Sequence, residues 1–129
     1  MQLEIQTNSI AIHVHSQDMG EDLCVSIWGG DVPHVGSTVL ALPRPSLTGQ
    51  GTSATLSILN RPGHKDDAIA AAVAKELSSR LNIVVSCTAG IHMDHATPQI
   101  IGDIVQTVPR IVDAIIQSRE EDTHEQGHH

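Results

Sequence analysis

The chain has 129 residues, enough for one domain with one hydrophobic core, and its 7 basic and 15 acidic side chains leave a formal net charge of -8. One Trp with neither Phe nor Tyr gives no aromatic platform for single-stranded nucleic acid, and the acidic balance disfavours nucleic acid and anionic membranes alike. No apolar run reaches the roughly 18 residues that span a bilayer, and Met1-Gln2-Leu3-Glu4 lacks the basic and apolar regions of a signal peptide, so no membrane association and a cytoplasmic location are expected.

In chain order, Ile10, Ile12 and Val14 alternate with Ala11, His13 and His15, the period of a half-buried strand. Residues 3–6 are either the start of that strand or its hairpin partner. Residues 23–28 form a second alternating strand, which stops at a loop with three glycines, a proline, an acid and a histidine (29–36). Extended structure resumes over 37–42, turns at 43–45 and 49–51, and continues over 52–59. A first helix is predicted from near Lys65 to Leu81, with Ile69, Val73, Leu77 and Leu81 as its buried stripe and Asn82 as its end. Residues 83–89 are almost wholly apolar, as in a central strand covered on both faces. Thr97 and Pro98 make a strong helix start, and the apolar period from Ile100 to Ile116 continues through Pro109, where a kink is expected. From Arg119 the chain is polar and reads as a disordered tail, leaving one domain over 1–118.

This order lacks regular βα alternation. It predicts an α+β fold of two layers, a mostly antiparallel sheet with two helices packed on one face. The open face would then carry Ala11, His13, Ser26, Trp28 and Ser57, a half-apolar surface suited to a homodimer. Cys24 and Cys87 both fall inside strands and are expected to be free core thiols.

Three polar clusters stand where one element hands over to the next: residues 29–36, His64-Lys65-Asp66-Asp67, and Gly90-Ile91-His92-Met93-Asp94-His95. Together they predict one composite site. The glycines of the first allow a close backbone approach or an anion-binding nest, with His34 as a donor and Asp31 to orient it; a plain turn with Asp31 capping its own backbone fits equally well. The second places Lys65 at a helix N-terminus, which favours phosphate, although an ordinary capped first turn has the same sequence. The third offers His92 and His95 around Asp94; with His34 these are the candidate metal ligands, but most such His pairs bind no metal. His13 and His15 alternate on a strand face and need no special explanation. No nucleophile elbow or standard phosphate loop is present, so nothing commits the chain to catalysis.

At the same clusters the chain resembles the LpdD-like family, small proteins that accompany UbiD-type gallate decarboxylases as chaperones of prenylated FMN. The resemblance lies in Gly-Gly-Asp-Val-Pro-His-Val-Gly at 29–36, His-Lys-Asp-Asp at 64–67 and Ala-Gly-Ile-His-Met-Asp-His at 89–95. It implies a non-enzymatic protein with a fold like that of proteasome-assembly chaperones, which binds reduced prenylated FMN, protects it and delivers it to an apo-decarboxylase. A flavin prenyltransferase is the implied second partner. The implied cofactor-binding residues are Trp28, Gly29, Gly30, Asp31, His34, Gly36, His64, Lys65, Gly90 and His92. A divalent or monovalent cation held by Asp31, Asp66 or Asp94 would offset the acidic charge, and His34, His92, Asp94 and His95 are the candidate metal ligands. The competing readings are a small metal-dependent hydrolase or lyase built on His34, His92 and His95, and an assembly subunit of a decarboxylase that never touches flavin.

Overall fold

Alternating side chains build a sheet with one apolar side, and two helical stretches cover that side with their apolar faces. The computed structural model describes residues 1–62, 67–92 and 94–126. Its strands are β1 (Gln2–Gln6), β2 (Ala11–Met19), β3 (Asp22–Gly30), β4 (Ser37–Pro45), β5 (Thr52–Asn60) and β6 (Val85–His92); its helices are α1 (Asp67–Leu81), α2 (Pro98–Val105) and α3 (Val108–Gln126). The six strands lie in the order β1-β2-β3-β6-β4-β5, and β3 with β6 is the one parallel pair. The expected two-layer, mostly antiparallel α+β fold is therefore observed. Residues 3–6 belong to a separate strand, the hairpin partner of β2.

The helix-covered side carries Ile5, Ile12, Val14, Val25, Ile27, Val39, Ala41, Val85, Cys87 and Ala89, all buried. Against them pack Ile69, Val73 and Leu77 of the predicted α1 stripe, and Ile111, Val112 and Ile115 of α3. Ala11, His13, Ser26, Trp28 and Ser57 share the opposite side, as the strand register requires. No helix among the described residues is long and apolar enough to cross a membrane.

Five expectations need correction, the last of them in β4. β6 is central, but only its inner side is covered by helices; Ser86 and Thr88 remain half-buried on the open side. Cys24 sits on that side too, half-buried, where its Sγ accepts from Ser86 Oγ at 3.1 Å, so only Cys87 is a core thiol. The long second helix is broken rather than kinked. Pro109 has no N–H to give and its ring crowds the carbonyl four residues back, so the chain tightens at Gln106-Thr107 and restarts as α3. Thr107, buried, secures the joint by donating its hydroxyl to the Ile104 carbonyl at 2.6 Å. Fourth, the polar stretch from Arg119 continues α3 to Gln126. Arg119 anchors it by pairing with Asp18 of β2 and donating to the Glu21 carbonyl at 3.2 Å. Long-range contacts thus hold residues that lack apolar side chains.

Both prolines in β4, Pro43 and Pro45, lie beyond Ala41, where pairing with β6 ends and β5 is the sole neighbour. A missing N–H is tolerated at such an edge. The strand therefore runs past the turn expected at 43–45.

Candidate functional site

The parallel pairing of β3 and β6 brings their C-terminal ends side by side, with Trp28 opposite Gly90, Gly29 opposite Ile91 and Gly30 opposite His92. β4 begins at this end, since Ser37 pairs with Ala89, and β5 finishes there, since Asn60 pairs with Ser37. Two of the three sequence clusters therefore meet at one end of the sheet. The chain also leaves β5 for the third from this end; His64, Lys65 and Asp66 lie outside the described residues, as does Met93, and Asp67 is described only as the first residue of α1.

The loop after β3 is tied down from both sides. Asp31 N–H donates to the His92 carbonyl at 2.7 Å, and Gly36 N–H to the Ala89 carbonyl at 3.0 Å. Arg61 reaches over from the end of β5: its backbone N–H donates to the Gly36 carbonyl at 2.9 Å and its guanidinium to the Val35 carbonyl at 3.2 Å. Glycine is required here by contact. A Cβ on Gly90 would fall 1.4 Å from the His34 carbonyl oxygen, so the loop crosses β6 where β6 has no side chain. Gly30, at φ +81°, would place a Cβ 2.2 Å from the His92 carbonyl oxygen.

Side chains then link the two clusters. Asp31 Oδ2 accepts the Asp94 N–H at 3.0 Å, and Asp94 Oδ1 lies 3.1 Å from His92 Nε2. The His92 ring faces that of His34 edge-on, with centroids 6.3 Å apart, and His34 donates from Nδ1 to the Val32 carbonyl at 3.0 Å. Asp31, His34, His92 and Asp94 thus form one contiguous polar group. His95, with φ 61°, makes the turn that follows. Among the described residues no three His, Cys, Asp or Glu side chains converge as metal ligands, so His34, His92, Asp94 and His95 are neighbours without forming a coordination set.

Beside this group, on the open side of the sheet, is a cleft of about 250 Å³ lined by Ser9, Ile10, Ala11, His13, Trp28, Gly29, Gly30, Asp31 and Pro33. His13 and Trp28 are direct partners across β2 and β3, and their rings stack with centroids 5.6 Å apart and planes 16° apart. One face of Trp28 is therefore covered by His13, so a ligand ring meets the Trp at its edge or lies against the imidazole. Sequence reasoning placed both residues on one face yet treated His13 as incidental; the register that makes them partners was the missing step.

A glycine-lined, aromatic cleft with a carboxylate–imidazole group beside it suits a planar heterocycle, and the comparisons with known proteins decide which family this is. The model of the prenylated flavin chaperone LpdD-like domain matches residues 6–120. The chain belongs to the LpdD-like prenylated-flavin chaperone family. This LpdD-like protein is accordingly a cofactor chaperone rather than an enzyme. No curated protein matches it. Its fold is similar to that in the crystal structure of a novel chaperone complex for yeast 20S proteasome assembly, at 13% identity, with 94% of each chain covered and a TM-score of 0.51. At that identity the likeness speaks for the fold alone.

Proposed function

We propose that this protein binds reduced prenylated FMN with its ring system at the His13–Trp28 cleft, shields it, and delivers it to an apo-decarboxylase of the UbiD type. The observation that carries this reading is the cleft itself, set against the family: an aromatic stack, a backbone cradle at Gly29 and Gly30, and Asp31 held by Asp94 at the rim. Gly30 and Gly90 have no room for a Cβ because the His92 and His34 carbonyls lie against them, so they shape the cleft by fixing the loop beside it. Gly36 and His34 act by fixing the loop, and His92 by holding Asp94. Lys65 and His64, which precede α1 in the sequence, would supply the phosphate contact.

At about 250 Å³ the cleft is smaller than the roughly 300–1,000 Å³ usual for such ligands, so it takes part of the cofactor and needs a second wall. A second copy laid on the open side of the sheet would supply it. Leu40, Leu42 and Leu59, at 43%, 45% and 76% exposure, support that homodimer because they share the same open side. A flavin prenyltransferase is the corresponding donor. A bound cation would compensate Asp31 and Asp94 in an acidic chain.

The test is an anaerobic titration with reduced prenylated FMN, with plain reduced FMN as the control and Trp28 as the fluorescence reporter. Saturable binding that prefers the prenylated form, followed by activation of an apo-decarboxylase, is the expected result. Absence of binding by the metal-replete protein would overturn the reading and leave an assembly subunit in its place.

A further inference from the structure

We propose that His13 makes the cleft selective for a reduced, anionic flavin ring over an oxidised one; this rests on the flavin-binding reading above. A reduced flavin gives up the proton at N1 near neutral pH and becomes an anion, whereas the oxidised ring carries no such charge. A chain with a net charge of -8 repels an anion unless a local group compensates. Among the residues lining the cleft only two are ionisable, His13 and Asp31, and only His13 can be positive. Any preference of this cleft for the anion therefore runs through the imidazole.

The geometry suits that role. His13 is half-buried and held flat against Trp28, an orientation in which an imidazolium is stabilised by the indole face. The groups facing it are few: Glu4, its exposed partner on β1; His15, two residues along the same side of β2; Trp28 on β3; and Asp31 across the cleft. Asp31 Oδ2 accepts the Asp94 N–H, which fixes that carboxylate at the rim of the cleft.

The experiment measures anaerobic binding of prenylated FMN in its reduced and oxidised forms at neutral pH, for the wild type, His13→Gln and His13→Phe. The wild type is expected to bind the reduced form about tenfold tighter, the strength of a charge-assisted contact at a half-exposed site. Both variants should lose the preference; His13→Phe keeps the stack and should still bind the oxidised form. Retention of the preference in both variants, or equal binding of the two forms by the wild type, overturns the role of His13 while flavin binding stands. If the wild type binds neither form, the flavin-binding reading fails and this inference fails with it.

Discussion

Strands β2, β3 and β6 present different chemistry on their two sides. Towards the helices they show Ile12, Val14, Val25, Ile27, Val85 and Cys87, closely packed and dry; away from them they show His13, His15, Ser26, Trp28, Ser86 and Thr88. The cysteines make the contrast in a single residue type. Cys87 is buried and burial pushes its thiol up to about 12, while Cys24 is half-buried beside Ser86 and Met19. Because side chains alternate, each strand serves the core with one set of residues and the open side with the next. The open side can therefore vary in chemistry at little cost to the fold, except at the end where glycines bind the two roles together.

That exception predicts the largest effect. Gly90→Ala pushes a methyl into the His34 carbonyl, and neither backbone can move without breaking the ties at Asp31 and Gly36. A loss of about 3 kcal/mol or more in urea unfolding, with flavin binding abolished, is expected. Wild-type stability and binding would show that the loop does not cross β6 as described. The two sides are compared directly by neighbours on β3: Ile27→Ala should cost about 3 kcal/mol through its cavity, and Ser26→Ala no more than about 0.5 kcal/mol. Similar losses at both would mean that the open side is itself a packed interface.

The sequence revealed the sides better than the ends. Period-2 alternation put Ala11, His13, Ser26, Trp28 and Ser57 on one side correctly, because a half-covered sheet imposes that period whatever its neighbours. Three junction clusters also pointed to one site, and two of them are seen to meet. What local pattern could not supply was pairing. Trp28 stacks on His13 because β2 and β3 run in that register, and Gly90 is a glycine because the His34 carbonyl lies on it; neither contact has a signature within its own segment. The same limit explains the tail, which follows α3 because of a partner at Asp18, about a hundred positions earlier. The helix break was half legible: Pro109 marked the place, but the buried Thr107 hydroxyl that secures it was not foreseen.

Smaller effects sharpen the contrast between the cysteines. Native protein should consume one equivalent of a thiol reagent, at Cys24, and a second only in denaturant. For Cys87 burial raises the thiol from its ordinary value of 9.0 to about 12 in the folded chain. Its contribution to stability is therefore full below pH 9.0, falls as the unfolded chain ionises, and is gone above about 12. Cys87→Ala should flatten that alkaline decline in unfolding experiments, and an unchanged pH profile would remove Cys87 as its cause. The smallest change is expected from Arg119→Ala. Its partner Asp18 is half-exposed, so a loss below about 1 kcal/mol is expected, read as faster amide exchange in the last turns of α3. A larger loss would make that helical end part of the core.

The position of β6 sets an order on folding. It is the last strand in the chain but the one that joins β3 to β4, so the first 60 residues can pair only as two separate ribbons. Until Val85–His92 arrives, both ribbons expose unpaired edges that belong in the middle of the sheet. Such long-range closure makes folding slow and leaves a window for aggregation during synthesis. The cleft, whose loop rests on β6, is completed only at that step, so on the reading proposed above a nascent chain holds no cofactor there before its sheet is closed.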